Sequence, residues 1–137
     1  VMNDKCAAGT GRFLEVMARA LEVELEELGK LSLKSQEKVS ISSTCTVFAE
    51  SEVISYKNRG RKKEDIIAGV HEAIASRIFA MVNQIHVGEE IMVTGGVALN
   101  EGVVRALETK IGRRIIVSED PQVVGALGAA LMAREAV

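Results

Sequence analysis

The stretch IMVTGGVALN, residues 91–100, decides the fold because an apolar run ends in a Gly-Gly turn and a helix start follows. The first four residues predict a buried strand, and Asn100 is a suitable N-cap for a helix that Gly112 would end. A second apolar run, residues 115–117, predicts another buried strand, and Asp120-Pro121 predicts the start of a last helix. Short strands that are apolar throughout and alternate with helices indicate a parallel sheet covered by helices, and therefore an α/β fold.

The first half of the chain predicts helices and hardly any sheet. A helix is expected around residues 13–21, a short one around 25–31, another over 45–58 and a long one over 66–85 that closes near Gly88. Residues 39–43 alternate apolar and polar side chains, as a short strand or an extended lead-in would. The apolar positions behind these predictions are Phe13, Leu14, Met17 and Leu21, then Leu25, Leu28 and Leu31, and Val47, Phe48, Val53 and Ile54 in the third helix. In the last helix they are Val123, Val124, Leu127, Ala130 and Leu131.

Composition excludes several classes of function. The 137 residues are 47% apolar and 26% charged, which suits one packed domain, and only 3% are aromatic. A net charge of −2 and so few aromatic platforms argue against nucleic-acid and membrane-surface binding. No apolar run approaches the ~20 residues that span a bilayer, and no signal peptide is visible. A cytoplasmic protein is expected.

Two glycine-rich segments could approach a ligand closely. Gly95-Gly96 lies at the carboxyl end of a predicted strand, where α/β sheets bind ligands, and a helix N-terminus follows. A tight turn without a ligand explains the same pattern, and no Lys-Ser or Lys-Thr follows as in a P-loop. Gly9-Thr10-Gly11 precedes the first predicted helix and could hold an anion through backbone N–H groups, or could simply be a flexible helix start.

The two cysteines, Cys6 and Cys45, both fall at predicted helix N-termini. The partial positive charge there favours the thiolate, the form that ligates iron or zinc, although free buried cysteines are common. Two ligands are half of a four-ligand set, which a two-fold homodimer would complete. His71 and His86 lack the close spacing of a zinc pair and are interpreted as surface or packing residues. The basic run of residues 59–63 is interpreted as a solvated loop.

Four segments resemble one family. Residues 2–15, MNDKCAAGTGRFLE, and 43–53, STCTVFAESEV, are similar to the two cysteine motifs of the 2-hydroxyacyl-CoA dehydratase activators, which belong with the ATPase subunits of benzoyl-CoA reductase. The segment TGGVALN, residues 94–100, resembles the adenosine-binding turn of that family. Pro121-Gln122 with GALGAA, residues 125–130, resembles its last helix. The likeness covers essentially the whole chain.

The resemblance implies an actin-like ATPase fold, also called sugar-kinase-like or ribonuclease H-like, here helix-rich with a small, mainly parallel sheet. It implies that Cys6 and Cys45 ligate a [4Fe–4S] cluster shared between two subunits. It also implies that Gly95, Gly96 and Gln122 contact the adenosine part of ATP or ADP bound with Mg, and so, less directly, do Ala98 and residues 9–11.

The activity that the resemblance implies is ATP-dependent electron transfer. ATP binding and hydrolysis in the family rearrange the helices at the cluster, which passes a low-potential electron to a 2-hydroxyacyl-CoA dehydratase or a related reductase. Reduced ferredoxin or flavodoxin is the expected electron source.

The resemblance also implies that the family's first domain and its phosphate-binding loop are absent. Residues 1–137 would then be the second, C-terminal ATPase subdomain, incomplete as a fold and without ATPase activity alone. Two alternatives remain open. One is a non-catalytic dimerisation or interaction module of the same fold, and the other is a kinase-type phosphotransferase without a cluster.

Overall fold

The computed structural model describes residues 9–42, 45–85 and 88–135. The first half of the described chain forms four helices. In the second half, two short strands alternate with two helices. The elements are α1 (Gly9–Leu21), α2 (Glu27–Ser32), α3 (Thr46–Asn58), α4 (Lys63–Val82), β1 (Met92–Val93), α5 (Glu101–Ile111), β2 (Ile116–Val117) and α6 (Val124–Glu135). A short 3₁₀ turn, Gly96–Leu99, joins β1 to α5.

The predicted parallel sheet is confirmed, with two strands among the described residues. Met92 lies opposite Ile116 and Val93 opposite Val117, and the N–H of Ile116 donates to the carbonyl of Ile91 over 2.8 Å. The prediction that both strands are buried was wrong, because Met92 is 54% exposed and Ile116 is 44% exposed. Ile91, Val93 and Ile115 pack against the core, and alternation along a strand turns Met92 and Ile116 to the opposite face.

The hydrophobic core lies between α1, α3, α4 and α5, and α3 contributes Ala49 and Val53. The predicted stripe of α1 is confirmed, since Phe13, Leu14, Met17 and Leu21 are each at most 3% exposed. From α4 the buried side chains are Ile66, Ile67, Val70 and Ile74, and from α5 they are Val103 and Leu107. The core is almost entirely aliphatic, which agrees with an aromatic content of only 3%.

The segment between α2 and α3 lies along the N-terminal half of α4. The carboxylate of Asp65 accepts hydrogen bonds from the N–H groups of Gln36 and Glu37 and from the Ser35 hydroxyl, at 2.8–3.1 Å. The N–H of Val39 then donates to the Asp65 carbonyl over 3.2 Å. Residues 39–42 are thus an extended lead-in bonded to a helix, and Ser43 lies outside the described residues.

Two of the helix boundaries that differ from the sequence predictions are explained by hydrogen bonds. Helix α4 ends at Val82, short of Gly88, because the N–H groups of Gln84 and Ile85 bond to carbonyls three residues back and tighten the chain into turns. Helix α6 begins at Val124 instead of Pro121, since the Pro121 carbonyl accepts the N–H of Gly95 over 2.7 Å. That bond holds residues 121–123 in a turn beside β1.

Two predicted apolar faces are not buried. In α3, Val47, Phe48 and Ile54 are 65%, 66% and 42% exposed, whereas Ala49 and Val53 are fully buried. In α6 no residue is buried, and Val123, Leu127 and Leu131 are all exposed. The apolar pattern was correct, but no described element covers these faces. None of the described helices combines the length and apolar character that crossing a membrane requires.

Candidate functional site

The Gly-Gly turn after β1 has a conformation that only glycine adopts readily. Gly95 has φ +87° and ψ 175°, and its N–H donates to the carbonyl of Pro121. The N–H of Ala98 donates back to the Gly95 carbonyl over 3.0 Å, and that of Asn100 donates to the carbonyl of Val97 over 3.0 Å. The turn is therefore tied at both ends and also joined to the segment that precedes α6.

Asn100 caps α5, as the sequence predicted. Its backbone is extended at φ −86° and ψ 97°, and its Oδ1 accepts the N–H of Val103 over 3.0 Å. At the other end of α5, Gly112 takes the left-handed conformation at φ +75° and its N–H bonds to the carbonyl of Glu108. The cap places the first turn of α5 directly behind the 3₁₀ turn.

Gln122 and the start of α1 complete a cavity of about 410 Å³ around this turn. A Cβ built on Gly96 would stand 3.2 Å from Nε2 of Gln122, so the amide lies against the glycine backbone. The described residues that line the cavity are mostly glycine or apolar: Gly11, Leu14, Glu15, Leu25, Glu26, Gly96, Val97, Leu99, Asn100 and Gln122.

The predicted ligand-contact residues fall into three groups. Gly11, Gly96 and Gln122 line the cavity together, although the sequence separates them by up to 111 positions. Gly95, Gly9 and Thr10 adjoin lining residues, and Gly9 has φ +56°. Ala98 is only 4% exposed and packs inward, so its side chain is not part of the lining. Helix α1 begins at Gly9, so residues 9–11 form its first turn. The prediction that these residues precede the helix was wrong.

The polar groups of the cavity wall are two amides and two carboxylates. Asn100 and Gln122 offer amide groups, and Glu15 and Glu26 offer carboxylates. Arg12 pairs with Glu15 over 2.6 Å, but no lysine or arginine is among the described lining residues. Such a wall suits a neutral, hydroxylated and partly aromatic ligand better than a phosphate group. No motif in the sequence pointed to Glu26, so its place in the cavity wall was not predicted.

Cys45 is an exposed free thiol at the N-cap of α3. Its backbone is extended at φ −80° and ψ 130°, and its carbonyl accepts the N–H of Ala49 over 2.9 Å. Cys6 lies outside the described residues. Within the described ranges, no group of three or more His, Cys, Asp or Glu side chains could hold a metal ion. A metal centre at Cys45 would therefore need ligands from beyond these residues.

His71 lies on the buried face of α4 and is therefore a packing residue. Its ring also contacts Asn100, the residue that caps α5. It is 1% exposed, and burial lowers the pKa of His71 to about 4, so the imidazole is neutral at pH 7. Its Nε2 is 3.4 Å from Nδ2 of Asn100. The sequence did carry a signal for this burial, since His71 falls at helical spacing from Ile67 and Ile74. His86 lies outside the described residues.

Comparison with known proteins gives concordant matches over nearly the whole chain. The model of the BadF/BadG/BcrA/BcrD ATPase family matches residues 1–133. The (R)-2-hydroxyglutaryl-CoA dehydratase activating ATPase of Acidaminococcus fermentans is 56% identical over 96% of this chain and 51% of its own length. The activator of lactoyl-CoA dehydratase of Anaerotignum propionicum is 53% identical over 98% of this chain and 52% of its own length.

A solved structure agrees with these matches. The activator of the 2-hydroxyisocaproyl-CoA dehydratase from Clostridium difficile, with bound ADPNP, superposes with a TM-score of 0.92 at 57% identity, over 97% of this chain and 50% of that one. The predicted α/β fold of the actin-like ATPase type is confirmed. The chain spans about half the length of the relatives it matches.

Proposed function

The chain belongs to the BadF/BadG/BcrA/BcrD ATPase family, and from that premise we propose that it is the part of a 2-hydroxyacyl-CoA dehydratase activator that binds adenosine and ligates an iron–sulfur cluster. The observation that carries the proposal is the cavity in which Gly11, Gly96 and Gln122 meet. In a relative of the same fold, the bound molecule is the ATP analogue ADPNP.

We propose that the cavity takes the nucleoside end of ATP or ADP. Its apolar walls provide a surface for the adenine ring, and the side chains of Gln122, Glu15 and Glu26 offer hydrogen-bonding groups for ring nitrogens and ribose hydroxyls. Because no cationic side chain lines the described wall, the triphosphate and Mg would extend away from it. In the whole protein, the groups that bind them would come from another part of the ATPase.

We propose that Cys45 and Cys6 hold a [4Fe–4S] cluster together with the same two residues of a second copy. The exposed Cys45 at a helix N-terminus fits this role, because the thiolate needs access to the cluster and the helix end stabilises its charge. The cluster, when bound, would supply a low-potential electron for a 2-hydroxyacyl-CoA dehydratase or related reductase. Reduced ferredoxin or flavodoxin would then return an electron to the cluster. Val47 and Phe48, which are exposed beside Cys45, give a second copy an apolar surface to pack against.

We further propose that residues 1–137 act as the second ATPase subdomain. The side chains of Met92, Ile116, Leu127 and Leu131 are each exposed, as expected of positions that the remainder of a full-length ATPase would cover. ATP hydrolysis is therefore expected of the complete protein and not of this chain alone.

An NMR titration of the chain with adenosine, ADP and inorganic phosphate tests the nucleoside site. Adenosine and ADP are expected to shift the same amides, namely those of residues 11, 95–100 and 122. Inorganic phosphate alone should leave the chemical shifts of these amides unchanged. Shifts from ADP that adenosine cannot reproduce would count against a nucleoside site.

Anaerobic reconstitution with iron and sulfide tests the cluster separately. We expect one [4Fe–4S] cluster per two chains, with broad visible absorbance, and a mass in solution of two chains. The Cys45→Ser variant should lose iron and sulfide while its circular dichroism stays unchanged. A dimer that is indifferent to Cys6→Ser and Cys45→Ser and binds no iron would instead support the non-catalytic module.

A further inference from the structure

The imidazole of His71 is enclosed where α2, α4 and α5 meet. These helices lie behind residues 94–100, here named the adenosine turn. It projects from α4 toward Gly102 of α5 and Ser32 of α2, and its Nε2 reaches Asn100. A Cβ on Gly102 would collide with Ser32 Oγ and would stand 2.6 Å from Nδ1 of His71. Only glycine at position 102 therefore lets the imidazole come this close to the start of α5.

The hydrogen bonds of Asn100 fix which of its side-chain atoms faces His71. A backbone N–H can only donate, so the atom that receives the Val103 N–H is the amide oxygen Oδ1. The atom at 3.4 Å from His71 is then the amide nitrogen Nδ2, which donates. Nε2 of His71 must accept, and the proton of the neutral ring therefore resides on Nδ1.

The protonated Nδ1 has no hydrogen-bond partner among the described residues. Ser32 Oγ faces the same point above Gly102 and gives its own proton to the carbonyl of Gly29 over 2.8 Å. The ring nitrogen that contacts Asn100 is therefore Nε2 and not Nδ1.

We propose that His71 is a positioning residue for the adenosine turn, whose Nε2, held in the Nδ1–H tautomer, orients the Asn100 amide so that it caps α5 and closes residues 96–99. Asn100 lines the cavity and His71 does not, so His71 acts through Asn100. The link to a nucleotide rests on the proposed function, whereas the tautomer and the rigidity of the turn do not.

The first test reads the tautomer in the unmodified chain by ¹³C and ¹⁵N NMR of histidine. The sequence has two histidines, so the His86→Gln variant assigns the signals. We expect the Nδ1–H tautomer for His71 at pH 7. The Asn100→Asp variant keeps an oxygen for the cap but puts an acceptor opposite Nε2, so the proton should move to Nε2. A wild-type His71 that is protonated at Nε2 would overturn the proposal.

The second test separates positioning from general support of the core. In His71→Leu, amide exchange at Val103 and in residues 96–100 should accelerate about tenfold or more relative to the α1 core amides. His71→Gln, which retains an acceptor, should recover part of this protection. Uniform acceleration over the chain, or none in the turn, would refute a positioning role.

An adenosine titration then distinguishes this inference from the proposed function. Weaker adenosine binding in His71→Leu, with recovery in His71→Gln, supports both. If the tautomer and the turn behave as expected but the wild-type chain does not bind adenosine, the positioning role stands and the nucleoside site fails.

Discussion

The side chain of Gln122 lies against the backbone of Gly96, so that a Cβ on this glycine would stand 3.2 Å from Nε2 of the amide. Gly96→Ala should therefore push the Gln122 amide by a few tenths of an ångström and disturb its position in the cavity wall. We expect adenosine binding to weaken by about five- to tenfold, or about 1 kcal/mol, as measured by calorimetry or NMR titration.

Gly125→Ala is the matched control, because a Cβ there meets nothing within 4 Å. It adds the same methyl group to the exposed face of α6 and should leave binding unchanged. Equal effects of the two substitutions would show that Gly96 has no special relation to the ligand.

The carboxylate of Asp65 should make stability depend on pH in the acid range. The N–H of Glu37 lowers the pKa of Asp65 most, and the Ser35 hydroxyl lowers it further. A lowered pKa means that the folded state favours the ionised form. The stabilisation is therefore present above the ordinary pKa and is lost as pH falls through the lowered value.

Thermal unfolding of wild type and Asp65→Asn over a pH series checks this. The wild type should have the higher Tm near neutral pH, and the gap should narrow below about pH 4. Glu64→Gln, on the preceding residue of α4, serves as the control. A gap that stays constant down to pH 2.5, roughly one unit below the ordinary Asp value, would contradict the ionised role of Asp65.

Gly69 allows the extended segment to cross α4. A Cβ at this position would collide with the carbonyl oxygen of Val39 and would stand 3.0 Å from its Cγ2. Gly69→Ala should therefore destabilise the fold by about 1–3 kcal/mol, despite the higher helix propensity of alanine. Urea unfolding measures the change, and Gly88→Ala, where a Cβ meets nothing within 4 Å, is the control.

Phe48 is 66% exposed on α3, three residues beyond Cys45. If a second copy packs there, Phe48→Ser should shift the chain toward monomer in sedimentation experiments. Its unfolding free energy as a monomer should change by less than about 0.5 kcal/mol. Leu33→Ser, which removes a 52% exposed side chain directly after α2, should leave the association unchanged.

Helical periodicity predicted which elements form but not which faces are covered. The stripe of Phe13, Leu14 and Met17 is buried as expected, because α3 and α4 lie beside it. The apolar side chains of α6 follow an equally clear pattern and remain exposed. A pattern shows that a face is apolar, whereas burial also depends on a neighbour, and only the tertiary structure supplies one.

The site was predictable where short motifs determine backbone geometry. Gly95 and the Asn100 cap behave as the sequence indicated. The place of Glu26 in the cavity wall and the contact of His71 with Asn100 were not predicted, because both depend on α2 and α4 approaching the turn across long sequence separations. The residues themselves carry no local signal of that approach.

The hydrogen bond between Gly95 and Pro121 joins the cavity wall to the segment that precedes α6. Helix α6 itself makes few packing contacts with the rest of the described chain. None of the 12 residues of α6 is buried, so this helix should open locally at a free energy far below that of global unfolding. Gln122 belongs to the segment that leads into it, and a ligand on Gln122 requires that segment to be ordered. Under the proposed function, a surface that covers α6 would therefore raise the affinity for the nucleotide, and by reciprocity the nucleotide would strengthen that assembly. The exposed helix would then make assembly and nucleotide binding cooperative.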